Sequence, residues 1–245
     1  MASLVWAAAL LAVVLAADLA LAAEAGVPAL PGIEGLPSVQ DLPDLLVMMD
    51  GSRVTTREAW ETRRKPELKA LFQHYMYGFF PPAAKVRATV AAADVKALGG
   101  AATMKRVALG FEPPGCPAID LLVVVPNRRE GPAPVFLGLN FTGNHTVLAD
   151  PSIPLAKGWM RDGPGVVGNR ATEAGRGTAA EKWAVEHVVG RGYAVATFYY
   201  GDMVPDKPEM DGGVYPHVRP AGAAAPSPTD WGAIAAWAWG RQRAV

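Results

Sequence analysis

Hydrophobic positions along this chain change their period twice. From Thr55 to Gly78 they repeat at helical spacing. Thr55-Thr56-Arg57-Glu58 is a capping-box pattern, with Glu three residues after Thr, and predicts a helix carrying Trp60 to about Arg64. Pro66 suits the first position of a second helix. In that helix Leu68, Leu71, Phe72, Tyr75 and Met76 share one face. Gly78 and Pro81-Pro82 end it. The helical pair is expected to form a layer on a sheet, with Tyr75, Tyr77, Phe79 and Phe80 as core rather than a sugar platform. From Thr103 the period approaches two. Met104 to Phe111 alternates as a strand, and Pro113-Pro114-Gly115 is a turn. Ile119 to Val125 is an apolar strand closed by Pro126-Asn127. Arg128 to Pro132 is a polar connection, and Val135 to Leu139 reads as the central strand. Three strands in succession with short connections predict an antiparallel start to the sheet.

The period then lengthens again. Thr178 to Gly190 predicts a helix anchored by Trp183, Val185, Val188 and Val189. Tyr193 to Tyr199 is a buried strand, and Gly201-Asp202 begins a long loop rich in Pro and Gly. Asp230 to Ala244 is the last predicted helix, with Thr229 as its cap. It sets Trp231, Ile234, Trp237 and Trp239 among alanines, so it is apolar nearly all round and needs burial on several sides. A crossover helix ordinarily returns to a parallel strand, and none follows here. The expected fold class is therefore α/β, an incomplete three-layer sheet that leaves the face of the strand Tyr193 to Tyr199 open. Such a surface would aggregate or find a partner.

The segments outside this pattern set the domain boundaries. In residues 1–23 the apolar run Leu4 to Ala17 is followed by Ala20-Leu21-Ala22-Ala23, a secretory signal peptide. The run is shorter than the ~20 residues that span a bilayer, so the mature chain is expected to be secreted or periplasmic, without a membrane partner. Residues 24–54 are a Pro/Gly-rich lead-in, and residues 55–245 the folded domain. Composition narrows the chemistry. Lys plus Arg and Asp plus Glu both number 23, which leaves no basic stripe for nucleic acid. The single cysteine, Cys116, excludes an internal disulfide. No His or Cys pair has zinc-ligand spacing, so no metal and no cofactor is expected.

A strand–helix hydrolase carries its nucleophile in a Gly-x-Ser-x-Gly turn. None of Ser3, Ser38, Ser52, Ser152 and Ser227 has glycine two residues away on both sides. Among the histidines only His145 stands at the carboxyl end of the central strand, where an open α/β sheet places its chemistry. Asp202, just past a strand, has the address of a site carboxylate or of a turn cap. Asn140-Phe141-Thr142 and Asn144-His145-Thr146 match the glycosylation pattern and are read as incidental. Ala174-Gly175-Arg176-Gly177 precedes a helix and reads as a plain turn rather than an anion site.

Four ordered blocks carry a resemblance. They are Leu139 to Thr146 (LNFTGNHT), Asn169 to Ala174 (NRATEA), Arg191 to Thr197 with Tyr199-Tyr200-Gly201-Asp202, and Asp230 to Gly240 (DWGAIAAWAWG). Together they resemble the N-terminal part of the bacterial glucuronoyl methylesterases, a family of carbohydrate esterases. The Leu42 to Arg57 stretch and Tyr75-Met76-Tyr77-Gly78 are similar too. The resemblance implies an α/β-hydrolase fold and a serine carboxylic-ester hydrolase of the 4-O-methyl-glucuronoyl methylesterase type. Its substrate would be glucuronoxylan or a lignin–carbohydrate ester. In that family the serine lies in a Gly-x-Ser-Arg-x-Gly-Lys turn after the last helix seen here, with the acid and histidine later still. The expectation is thus a fragment ending before the nucleophile elbow, inactive alone, with no catalytic residue assignable. The Phe141 and Thr142 amides are candidate oxyanion donors. Asn140, His145, Arg170, Glu173 and Asp202 are candidates to line or brace the cleft, with an Arg170–Glu173 pair fixing the long loop. A non-catalytic carbohydrate-binding remnant and an acetylxylan-esterase-like hydrolase are the alternatives.

Overall fold

The computed structural model describes residues 30–81, 83–112, 115–209, 212–218 and 229–245, so the predicted signal segment lies outside the described residues. The chain divides into two compact units, one of residues 1–79 and 227–232, the other of residues 80–226 and 233–245.

The first unit is built on one helix, α1 (residues 57–77). Thr56 caps it: its backbone is extended and its Oγ1 accepts the Ala59 N–H at 3.1 Å. The cap is thus one residue later than the capping box predicts. The expected break at Arg64 does not occur. Arg64 and Lys65 keep right-handed helical torsions, and a wide turn over Trp60–Arg64 carries the chain into Lys65–Phe72. Pro66 has no N–H to give, and the wide turn beside it accommodates the lost bond. A second wide turn, Gln73–Tyr77, leads to Gly78 at φ 74°. Glycine is required there, because a Cβ would lie 2.2 Å from the Asp230 carbonyl oxygen. Arg64 and Glu67 form a buried ion pair one turn apart. Arg64 Nε donates to the Leu45 carbonyl at 2.9 Å, and Glu67 Oε1 accepts the Met49 N–H at 3.2 Å, so the pair ties the lead-in to the helix. Thr56→Ala removes one helix cap. It is expected to lower the stability of this unit by about 1 kcal/mol, read as a lower urea midpoint at unchanged m; an unchanged midpoint would show that the cap contributes nothing.

The second unit holds a five-stranded sheet. Its strands are β1 (Val86–Ala97), β2 (Ala102–Phe111), β3 (Ile119–Pro126), β4 (Val135–Asn140) and β7 (Ala194–Tyr199), in the order β1-β2-β3-β7-β4. β1, β2 and β3 pair antiparallel, β3 pairs antiparallel with β7, and β7 runs parallel to β4. Between β4 and β7 lie the single-turn helix α2 (Asn144–Val147), the two-residue strands β5 (Val166–Val167) and β6 (Arg170–Ala171), and helices α3 (Ala180–Trp183) and α4 (Val185–Gly190). After β7 come α5 (Tyr215–Val218) and α6 (Ala233–Arg243).

Five expectations about these elements need correction. The sheet has a strand the hydrophobic pattern missed: β1, of whose 12 residues only Ala97 is buried. The antiparallel start does not run on into Val135 to Leu139, because β7 inserts between β3 and β4. β4 is therefore an edge strand among the described residues, with Val135 and Phe136 more than half exposed. The strand expected to lie open, β7, is buried at all six positions. The predicted helix Thr178 to Gly190 is also split, since Ala184 takes left-handed torsions between α3 and α4. The last helix starts at Ala233, not Asp230, and turns Ala235, Ala236, Trp239 and Gly240 inward while Ile234 is exposed.

The core on one side of the sheet gathers Met104, Leu122, Val124 and Val195 with Val147, Ile153, Val185 and Val189 from the covering segments. A continuous apolar run suits β7 because both its neighbours and both its faces are protein. Among the described residues no helix is long and apolar enough to cross a membrane.

Candidate functional site

The carboxyl ends of β4 and β7 lie side by side, with Asn140 opposite Tyr199. Asn140 ends β4 and is buried at 2% exposure. Its Oδ1 accepts the Gly143 N–H at 2.8 Å, closing the turn Phe141-Thr142-Gly143. Its Nδ2 donates to Asn144 Oδ1 at 2.7 Å and to Thr197 Oγ1 at 3.1 Å. Asn144 Nδ2 donates in turn to the Asp120 carbonyl at 2.7 Å. Each buried amide thus has its partners, as burial in low dielectric demands. Burial also leaves neither Asn140 nor Asn144 open for glycan attachment.

The turn needs glycine at position 143. Its torsions are φ 91° and ψ 151°, and a Cβ there would lie 2.8 Å from His145 Cε1 and Nδ1. Thr142 Oγ1 and Thr146 Oγ1 share a hydrogen bond of 2.8 Å across the turn. Phe141 and Thr142 are exposed at its tip. The Phe141 ring packs on Tyr200 with centroids 4.9 Å apart and meets Trp237 of α6 edge-on at 6.3 Å.

His145 lies behind the turn at 1% exposure, its ring against Gly143 and Gly175. Burial, and then the nearby Arg176 cation, push its pKa down against the pull of Glu173, so the imidazole is neutral at pH 7. Its carbonyl accepts the Gly177 N–H at 2.9 Å, and the Thr146 carbonyl accepts that of Ala179 at 2.9 Å. His145 therefore braces the turn to the segment that enters α3.

The predicted Arg170–Glu173 pair does not form. Glu173 is instead gripped by both prongs of Arg176, Nε to Oε2 at 2.6 Å and Nη2 to Oε1 at 2.8 Å. The cause is local: residues 173–175 make a tight helical turn that carries Glu173 and Arg176 to one side. The Arg176 hydrogen bonds hold the Glu173 carboxyl below its usual range. Arg176 Nη1 also donates to the Asp150 and Ile153 carbonyls at 2.6 and 2.8 Å. Arg170 is exposed, and its Nη1 donates to the Lys157 carbonyl at 2.6 Å.

Beside this turn is a cavity of about 850 Å³. Arg106, Asp120, Asn144, Lys157, Trp159 and Asp202 are among its lining residues. Of the residues expected from the sequence to line or brace the cleft, only Asp202 lines it. Asp202 Oδ2 accepts the Asp120 N–H at 3.1 Å. Burial pushes the Asp202 carboxyl up to about 7; the Asp120 amide opposes the shift and the Asp120 charge adds to it. The Asp120 carboxylate pairs with Arg106 at 2.9 Å, a diagonal contact across β2 and β3. Tyr199 donates its hydroxyl to the Trp159 carbonyl at 2.7 Å, and burial raises its pKa. Sequence reasoning missed Arg106 and Asp120, and read Asn144 only as an incidental glycosylation position. Strand pairing alone brings the first two together, and no spacing signal marks them.

Ser38, Ser52 and Ser152 are exposed loop residues, and Ser3 and Ser227 lie outside the described residues. Among the described residues no serine stands at a strand-to-helix elbow, and no three His, Cys, Asp or Glu side chains gather as metal ligands.

No protein-family model matches the chain. It is 42% identical over 200 residues to the carbohydrate esterase MZ0003 of an unknown prokaryotic organism, covering 80% of this chain and 46% of that one. Among solved structures, it is similar to a CE15 esterase from the marine bacterial metagenome, described as promiscuous, at 40% identity and a TM-score of 0.72. That match covers 86% of this chain and 53% of the other. It is likewise similar to a glucuronoyl esterase from Solibacter usitatus at 40% identity and a TM-score of 0.74, covering 86% and 54%. The chain thus spans about half the length of the relatives it matches.

Proposed function

The chain belongs to the carbohydrate esterase family that includes the CE15 glucuronoyl esterases, and from that premise we propose that it forms the N-terminal part of an exported serine hydrolase of glucuronoyl esters. The substrate would be the ester of a glucuronic acid on xylan with an alcohol of lignin, or its methyl ester. The observation that carries this reading is the 42% identity to a carbohydrate esterase across four-fifths of the chain.

The turn after β4 supplies the part these residues play. Its tip carries the Phe141 and Thr142 amides at the carboxyl edge of the sheet, the place from which α/β-hydrolases donate to an oxyanion. The turn's own bonds go elsewhere, Gly143 N–H to Asn140 and Thr146 N–H to the Gly143 carbonyl at 3.0 Å. Asn140 and the Thr142–Thr146 hydrogen bond hold the turn, and His145 ties it to the segment entering α3, so the donors are set before charge develops. Nucleophilic serine, general base and orienting acid belong to residues beyond Val245 in this reading. Attack on the ester carbonyl gives an acyl-enzyme, and base-activated water releases the uronic acid.

The test is direct. Purified residues 24–245 are expected to leave benzyl glucuronate intact, while a longer protein carrying this segment and a Gly-x-Ser-Arg-x-Gly-Lys turn hydrolyses it. Turnover by the shorter chain would refute the assignment of the nucleophile. Failure of the longer one would refute the substrate class.

A further inference from the structure

Four hydrogen bonds, joined at the Asp120 backbone, lead from the cavity to the turn. Asp202 Oδ2 accepts the Asp120 N–H at 3.1 Å, and the Asp120 carbonyl accepts Asn144 Nδ2 at 2.7 Å. Asn144 Oδ1 accepts Asn140 Nδ2 at 2.7 Å, and Asn140 Oδ1 accepts the Gly143 N–H at 2.8 Å. Asn144 and Asn140 each present a donor and an acceptor on one carboxamide, and such carboxamides polarise each other in a low dielectric. Asp120 joins the path through the two peptide groups on either side of its Cα, so it passes on a displacement of its backbone rather than polarisation. The first member lines the cavity, and the last is the residue after Phe141 and Thr142.

We propose that Asp202 is a positioning residue: through Asp120, Asn144 and Asn140 its carboxyl sets the geometry of the turn that presents the Phe141 and Thr142 amides. The inference rests on the oxyanion role given to that turn. Ionised Asp202 accepts the Asp120 amide more strongly than the neutral acid does, draws that peptide toward the cavity, and lengthens or tightens the links behind it. Among the described residues, the charged and titratable groups that line the cavity with it are few. Asp120 and its partner Arg106 face it from β3 and β2, Lys157 from the loop above, and Tyr199 and Lys207 from its own segment. Asp206, further along that segment, is half-exposed beside Arg161 at 3.8 Å. The raised pKa of Asp202 places its ionisation near neutrality, where the link can be read without unfolding the chain.

The experiment follows the backbone amides of Gly143, Thr142 and Phe141 and the Asp202 carboxyl by NMR in the isotopically labelled chain as pH is raised from 5 to 9. The Gly143 amide is expected to move with the midpoint of the Asp202 carboxyl. Asp202→Asn should abolish that movement, and Asp206→Asn should leave it intact. Asn140→Asp keeps the acceptor for Gly143 but loses the Nδ2 donors, so Asp202 should still titrate while Gly143 no longer follows. An immobile Gly143 in the native chain, or movement that survives Asp202→Asn or vanishes in Asp206→Asn, overturns the relay. Ester hydrolysis by the longer protein is read separately. Coupling without hydrolysis removes the esterase reading and keeps the relay. Hydrolysis with a kcat profile blind to the Asp202 midpoint removes its positioning role.

Discussion

Gly143→Ala is expected to destabilise the sheet unit by roughly 3 kcal/mol and to disorder the turn at the end of β4. Two costs combine. The residue sits at φ 91° and ψ 151°, a region open to glycine and costly by about 1–3 kcal/mol for a residue with a side chain. The added Cβ would also lie 2.8 Å from the His145 ring and 2.9 Å from the Ala156 Cβ. His145 has no room to yield, being buried with its ring on Gly175 as well, and overpacking of this kind costs about 1–3 kcal/mol. Denaturant unfolding of the 245-residue chain measures the sum. In a longer, active protein the proposed oxyanion role of the turn predicts that the same change lowers kcat far more than it raises KM. A variant with native stability and an unmoved Asn140–Gly143 bond would show that the torsions of the turn are not what holds it.

Asp202→Asn is expected to stabilise the chain at pH 8 by up to about 4 kcal/mol and to leave it unchanged near pH 4. The sign follows from the direction of the shift. Burial pushes the folded carboxyl up to about 7, against 3.8 for an aspartate in water, so between these values the folded state holds a proton the unfolded chain has lost. Stability therefore falls as pH rises through that window and levels off above it. Asparagine keeps an oxygen for the Asp120 N–H but carries no charge to bury. The relevant measurement is the difference in unfolding free energy between variant and parent at the two pH values. Equal differences at both, or a variant less stable at pH 8, would mean that the ionised carboxylate is well accommodated in the cavity.

These two positions differ in how far they could be foreseen. Gly143 stands in the block Leu139 to Thr146, whose family resemblance marked the turn, and Asp202 was placed by its address just after a strand. What each does was not legible. The partner of Asp202, Asp120, comes from β3, 82 positions earlier in the chain, and the partner of Asp120, Arg106, comes from β2; no local spacing brings them together. His145 carried the sequence signature of a cleft residue, yet its ring is buried behind the turn. Arg170 and Glu173 suggested a pair by proximity, but the tight turn at 173–175 hands Glu173 to Arg176.

By itself the sequence determined the elements whose side chains face a single kind of environment. β7 is buried at every position and apolar at all but Thr197 because both its faces are covered, and β3 is nearly so. The long helix of the first unit showed its period, and four short blocks showed its family. Tertiary structure alone decided the rest. β1 is a strand because β2 pairs with it, not because its own residues alternate between buried and exposed faces. β4 lies at an edge because β7, 54 residues after it, takes the place beside β3. Local pattern records what a residue's side chain must meet; it does not record which distant backbone supplies the hydrogen bonds, and both the sheet order and the path from Asp202 to Gly143 are made of those.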